Sequence, residues 1–195
     1  MERPLLIVVS APSGAGKSTL CNRLVKERSS VEYSISCTTR APRGEEQDGE
    51  HYYFLSAREF RQRVRRGEFL EHAKVHGNRY GTLADTVQFA MEEGRHIILD
   101  IDVQGVRQLR ASLQLMEERS LIRRGFLDIF IEPPSLAVLE SRLRKRGTDS
   151  EAVIRKRLKN AAKEMQAAEE YTHRLVNDQL DTTYEALCGI IDASA

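Results

Sequence analysis

The chain is expected to fold as an α/β protein on a parallel sheet, and three stretches carry that expectation. Residues 5–9 (LLIVV) form an unbroken apolar run. They pass through a glycine-rich turn, Ser10-Ala11-Pro12-Ser13-Gly14-Ala15-Gly16-Lys17-Ser18, into a segment whose Leu20, Leu24 and Val25 share a helical face. Residues 96–99 are a second core run, ending in Asp100-Ile101-Asp102, and residues 126–131 are a third, followed by Pro133-Pro134-Ser135 and a basic helix. Strands buried on both faces read as near-continuous apolar runs, and their alternation with amphipathic helices is the pattern of a parallel sheet.

Length and composition bound the rest. At 195 residues the chain suits one domain, with room for an inserted lobe or lid. Its 41% hydrophobic and 30% charged residues are ordinary for a globular protein, and a net charge of +1 does not suit a binder of bulk nucleic acid. The three cysteines, Cys21, Cys37 and Cys188, are widely spaced and odd in number, so neither a metal site nor a disulfide framework is expected. No apolar run approaches membrane-spanning length and no cleavable leader pattern is seen. A cytoplasmic protein without nucleic-acid or membrane partners is expected.

The first turn has a chemical reading of its own. The opening amides of a helix lack intrahelical acceptors, and the macrodipole adds partial positive charge there. Gly14 and Gly16 allow the backbone to turn its N–H groups around an anion. Lys17 adds a full charge, and the Ser18 hydroxyl is placed to bind the magnesium that accompanies a nucleoside triphosphate. The pattern G-x-x-x-x-G-K-[ST] is met except at its first position, where Ala11 stands. A site for nucleotide phosphates follows from the strand before the turn and the helix after it.

Further along, residues 31–36 read as a short strand. Residues 37–45 form a polar loop in which Arg40 and Arg43 stand three apart around Pro42, suited to bidentate capture of a phosphate. Taken alone, the segment reads equally well as a solvated loop. Residues 51–55 have aromatic strand character, and Ser56 and Glu59 form a capping box opening a helix to about residue 66. Residues 69–75 read as a strand carrying Glu71, and residues 76–82 as a turn. The stretch from about 33 to 82 is thus expected to be a small strand-rich insertion. A helix over 83–93 leads to the second core run, whose terminal Asp100 is delivered to the sheet edge where ligands bind in open α/β sheets. Residues 103–113 read as helix, and the spacing of Leu115, Leu121 and Ile122 suggests an extra one. After the third core run, a helix to Arg146 carries Arg142, Arg144 and Lys145. A capping box at Thr148 and Glu151 opens another, to about residue 171, carrying Arg155, Lys156, Arg157 and Lys159. Two basic helices meeting at a Gly-Thr hinge have the form of a mobile lid over a triphosphate, although a basic run is ordinarily a solvated face. Residues 175–176 start a last strand and 180–191 a closing helix.

Together these motifs resemble the guanylate kinase family. The resemblance spans almost the whole chain: S-A-P-S-G-A-G-K-S-T-L, S-I-S-C-T-T-R-A-P-R, E-F-L-E-H-A, Y-G-T, I-L-D-I-D-V-Q-G-V, and E-P-P-S followed by R-L-R-K-R-G-T. Ala11 is not a departure from that family. The resemblance implies a three-layer P-loop NTPase fold: a core (about 1–32, 83–138, 172–195), a mixed-β lobe for the nucleoside monophosphate (about 33–82) and a helical lid (about 139–171). It implies ATP-dependent phosphorylation of GMP, with ATP and GMP as small-molecule partners and the protein acting as a monomer or homo-oligomer. Ser36, Arg40, Arg43 and Tyr52 would bind the GMP phosphate, with Tyr80 and Gly81 beside it. Glu71 and Thr82 would read guanine, the carboxylate accepting from N1–H and the 2-amino group and the hydroxyl donating to O6. Asp100 would contact GMP or the magnesium shell, and the sequence does not separate the two. On the ATP side, Pro12, Ser13, Gly14, Ala15, Gly16, Lys17, Ser18 and Thr19 would cradle the phosphates, with magnesium on Ser18 and Asn177 near the adenine. Lys17, Arg40, Arg142, Arg146 and Arg157 would carry the catalytic charge. The chain is longer than the usual member around 112–125. Two other readings fit parts of the pattern, a non-catalytic module binding phosphopeptides and a P-loop kinase acting on a ribose phosphate.

Overall fold

The computed structural model describes residues 3–75, 77–145, 147 and 149–195. β1 (Leu6–Ser10) is buried along its whole length and runs through the glycine turn into α1 (Lys17–Glu27), whose Leu20, Cys21 and Leu24 face the sheet. β2 (Val31–Tyr33) is shorter than the sequence suggests, because the chain leaves the ladder after Ser34 donates to the Ile98 carbonyl. β3 (Cys37–Thr38), β4 (Tyr53–Phe54) and α2 (Ala57–Arg65) follow. The expected capping box is complete: Ser56 Oγ accepts from Glu59 N at 3.2 Å, and Glu59 Oε2 accepts from Ser56 N at 2.8 Å. β5 (Phe69–Val75) is as expected, but residues 78–82 do not lie in a turn. They belong to β6 (Asn78–Leu83), antiparallel to β5, with Val75 opposite Asn78 and Gly77 at φ 88° between them. Asn78 and Gly81 are poor strand formers beside the favourable Tyr80 and Thr82, and the pairing with β5 decides the element.

Then come α3 (Ala84–Glu92), β7 (His96–Asp100), α4 (Val103–Leu115), the single turn α5 (Leu121–Arg124) and β8 (Phe126–Glu132). The helix expected from Leu115, Leu121 and Ile122 is not continuous: Leu115 ends α4 at 91% exposure, while Ile122 is buried from α5. α6 (Leu136–Lys145) and α7 (Glu151–Met165) pack together, and Leu139, Leu143 and Ala161 share a small core between them. Ser150 occupies the N-cap position of α7; the proposed cap Thr148 lies outside the described residues, as does Arg146. α7 stops six residues short of the expected 171. The chain tightens into a 3-10 turn at Ala168–Glu170, which carries Ala168 and Tyr171 into the core, with the Tyr171 ring 5.0 Å from that of Phe130. β9 (His173–Val176) and α8 (Leu180–Ser194) close the chain.

The five-stranded sheet has the order β2-β7-β1-β8-β9 and is parallel throughout. Alternation along β1 makes two cores. Leu5, Ile7 and Val9 pack with Leu20 and Leu24 of α1 and Leu187 and Ile191 of α8. Leu6 and Val8 pack with Val87 and Met91 of α3 and Val106 and Leu109 of α4. Successive strand residues point to opposite faces, so helices on both sides follow from the sequence of β1 itself. A second, four-stranded mixed sheet, β4-β3-β6-β5, is built from residues 37–83. Phe60 of α2 stacks on Phe69 of β5 at 4.6 Å between centroids, fastening α2 to it. The three cysteines are free. Among the described residues, no helix is long and apolar enough to cross a membrane.

Candidate active site

The glycine turn takes the conformation its residues permit. Gly14 and Gly16 sit at φ 99° and 97°, values open to glycine, and Gly16 is the N-cap of α1. Pro12, Ser13, Gly14, Gly16, Lys17, Ser18 and Thr19 line a cavity of about 330 Å³ with Ala11, Asp100 and Glu164. Ala15 is fully buried and turned out of that cavity, its carbonyl accepting from Asn177 Nδ2 at 2.7 Å. α6 lies under the turn, where a side chain at Gly14 would press on Leu139 and Leu143 at about 3 Å.

Lys17 forms an ion pair with Asp100 at the end of β7. The same two residues also line a second cavity, of about 360 Å³, with Ser36, Tyr52, Glu71, Tyr80, Gly81 and Asp102. Glu71 is 6% exposed and accepts from Thr82 Oγ1 at 2.7 Å. Burial pushes its carboxyl above the ordinary range, opposed in part by the Thr82 hydrogen bond. The hydroxyl proton of Thr82 is therefore directed at Glu71, which makes Thr82 a positioner of the carboxylate. Gly81 brings β6 against β5: a Cβ there would meet Glu71 O at 3.0 Å and Phe69 at 2.9 Å. Asp102 shares this cavity while its carboxylate caps α4, accepting from Gly105 N at 2.8 Å.

The chain belongs to the guanylate kinase family. The family model described as guanylate kinase matches residues 2–194. A guanylate kinase of Mesorhizobium japonicum is 43% identical over 98% of this chain and 84% of its own length. One from Nitratidesulfovibrio vulgaris is 46% identical over 94% of this chain and 84% of its own. The crystal structure of guanylate kinase from Anaplasma phagocytophilum superposes with a TM-score of 0.71 at 32% identity, over 99% of this chain and 87% of that one. The SH3-kinase fragment of tight junction protein 3 shares the fold, at TM-score 0.51 and 14% identity, over 98% of this chain and 57% of that one.

Other sequence-predicted residues of this guanylate kinase family member are placed unevenly. Arg40 lies over the Tyr52 ring at 5.2 Å and pairs with Glu46 at 2.8 Å. The Arg43 side chain is exposed, and its backbone N–H donates to Glu46 Oε2 at 2.8 Å. Arg142 lines a third cavity, beside Gly14, Gly16, Thr19, Lys145, Asn177 and Leu180, and donates to the carbonyls of Asn177 at 2.9 Å and Asp178 at 3.3 Å. Arg157 pairs with Asp149 at 3.2 Å and does not line the glycine-turn cavity.

Glu46 and Glu164 were not singled out by the sequence. Arg40 pulls the Glu46 carboxyl down to about 2, with help from the Arg43 amide. One carboxylate thus aims the Arg40 guanidinium and ties the 40–46 turn together, a role its spacing from Arg40 could have suggested. Glu46→Gln is expected to raise the KM for GMP several-fold with little change in kcat, measured by steady-state kinetics at saturating ATP. Glu164, brought to the first cavity by α7, has its carboxyl pushed up by burial and by Asp102, against the pull of Lys17.

Proposed function

We propose that the chain transfers the terminal phosphoryl group of ATP to GMP, and to dGMP, giving ADP and the nucleoside diphosphate. The observation that carries this reading is that Lys17 and Asp100 line both the glycine-turn cavity and the Glu71 cavity, so a triphosphate in one and a monophosphate in the other meet at that pair. The glycine-turn amides and Lys17 hold the triphosphate. Glu71, held by Thr82, accepts from guanine N1–H and the 2-amino group, a demand that adenine does not meet. Ser36, Tyr52, Tyr80, Arg40 and Arg43 hold the GMP phosphate, whose oxygen attacks the γ-phosphorus as the bond to the β-phosphate oxygen breaks. That oxygen is already anionic, so positioning and charge neutralisation are the chemistry required of the protein. Arg142, Arg146 and Arg157 add charge when the α6–α7 segment closes, with Arg157 leaving Asp149.

The hard oxygens of Ser18, Asp100 and Glu164 in one cavity fit a magnesium ion that keeps phosphate and water ligands as well. Ser18 would hold it and Asp100 would bind its water shell; the ion supplies charge neutralisation to the phosphate oxygens. The protein is taken to act in the cytoplasm on these small molecules.

The test is ADP release measured across GMP, dGMP, AMP, UMP and ribose bisphosphate. Turnover with GMP and dGMP is expected; turnover with ribose bisphosphate alone, or none, would overturn the reading.

Glu71→Gln separates recognition from stability. Losing hydrogen bonds to an ionised acceptor costs about 1.5–3 kcal/mol, so the GMP KM is expected to rise roughly 10- to 100-fold. The folded-state carboxyl titrates above its ordinary value. Its contribution to stability is therefore present at low pH and lost as pH rises through the raised value. The variant is accordingly expected to melt higher than the parent at pH 7–8, with the gap closing in acid. An unchanged GMP/AMP preference, or a lower melting temperature at pH 8, would refute the assignment.

A further inference from the structure

The Asn177 side chain is 5% exposed, and its Nδ2 donates to the Ala15 carbonyl at 2.7 Å. Its backbone is pinned on both sides: N–H donates to Glu132 O at 2.7 Å, and the carbonyl accepts from Arg142 at 2.9 Å. Gly16 completes the fit, because a Cβ there would overlap Asn177 Nδ2. Ala15 lies between the two left-handed glycines, Gly14 and Gly16, which by themselves leave the intervening peptides free to rotate.

We infer that Asn177 is a positioning residue that sets the shape of the phosphate-binding turn, through the Ala15–Gly16 peptide, and does not select the donor base. The peptide is planar and trans, so its C=O and N–H point in opposite directions. Anchoring the Ala15 carbonyl to Asn177 turns the Gly16 N–H away from Asn177. Gly16 lines the cavity of Lys17, Ser18 and Asp100, which Asn177 does not line. A buried amide thus fixes one of the donors that meet the phosphates before any ligand arrives, and preorganised donors lose no reorganisation energy when charge develops. Arg142 extends the linkage: the helix whose Leu139 and Leu143 support Gly14 also holds the Asn177 carbonyl, so α6, β9 and the turn are fastened at one residue.

The inference rests on the kinase reading only in taking a triphosphate as the ligand of the turn, and its test needs no turnover. Inorganic tripolyphosphate, which has no base, is titrated with magnesium into the parent chain and Asn177→Ala by calorimetry, alongside ATP. Positioning of the turn predicts that both ligands lose about 10- to 100-fold in affinity, by the same factor within threefold. In kinetics, kcat/KM for ATP falls, the GMP KM stays within twofold and the ATP/GTP donor ratio is unchanged. Tripolyphosphate binding that is unaffected while ATP binding weakens, or a shifted ATP/GTP ratio, overturns the inference in favour of base contact. If Asn177→Ala does not fold, Asn177→Ser keeps a polar group in the buried site yet is too short to reach Ala15, and the same outcomes apply. A parent chain that binds both ligands but does not phosphorylate GMP defeats the kinase reading and leaves this one standing.

Discussion

Lys17→Ala is expected to lower kcat for GMP phosphorylation by about 10³-fold or more while leaving the melting temperature within a few degrees of the parent. Loss of one preorganised donor to a developing charge costs about 10²–10³ in rate, and Lys17 brings a full positive charge as well. In the structure that charge is paired with Asp100, and the pair is partly exposed, 18% and 32% by side chain. Exposed pairs are worth roughly 0–1 kcal/mol, which is why the fold should tolerate the change. The Asp100 carboxylate makes the catalytic loss worse. With Lys17 gone it faces both phosphates unmasked, and like charge at that position opposes the approach of donor and acceptor. Lys17→Ala with Asp100→Asn should therefore bind ATP more tightly than Lys17→Ala alone, though neither should turn over well. Turnover of Lys17→Ala within tenfold of the parent, in rapid-quench measurements, would mean that the transfer does not take place beside Lys17.

Much of this architecture was legible because it is local. β1, β7 and β8 are largely apolar runs, and a strand buried on two faces declares itself without its neighbours. The capping box at Ser56 is likewise complete within four residues. β6 was not legible, since Asn78, Arg79 and Tyr80 become a strand through hydrogen bonds to β5 and β3. The end of α7 was hidden for a similar reason: Glu169 and Glu170 suit a helix, but burying Ala168 and Tyr171 against the sheet requires the chain to turn. In the site, residue types were readable and partners were not. The family resemblance implies Thr82 near a guanine and Asn177 near an adenine; the protein partners of their side chains are Glu71 and the Ala15 carbonyl. Asp102 follows Asp100 by two residues and was legible beside it, whereas Glu164 shares a cavity with Lys17 and Asp100 through folding alone. A side chain such as Asn177 leaves a weak trace in sequence, because the Ala15 carbonyl it holds lies 162 residues away.

The largest effect on stability is expected outside the residues that line the cleft cavities, at Asp128. It stands in the middle of β8, at 2% exposure, where an apolar residue would be ordinary. Its Oδ2 pairs with Arg110 of α4, including a bond to Nε at 3.1 Å, and its Oδ1 accepts from Thr172 N at 2.9 Å. Arg110 in turn lies over the Tyr171 ring at 4.9 Å and donates to Glu170 O at 2.6 Å, while Arg107 pairs with the Glu170 carboxylate. One buried carboxylate therefore fastens the segment after α7 to both α4 and the sheet. Asp128→Ala leaves Arg110 only the more distant Glu170 carboxylate, at 3.8 Å, and removes the acceptor of the Thr172 amide. Breaking a buried pair from one side costs about 3–5 kcal/mol. For a chain of this size that is a melting temperature lower by roughly 10 °C, read by calorimetry. Arg107→Ala, which removes a pair on the exposed side of the same cluster, should cost less than about 1 kcal/mol. The decisive comparison is Asp128→Leu with Arg110→Met. If the carboxylate matters because it compensates a buried charge, removing both members should recover much of the single-variant loss; if its bond to Thr172 dominates, the double variant should melt no higher than Asp128→Ala.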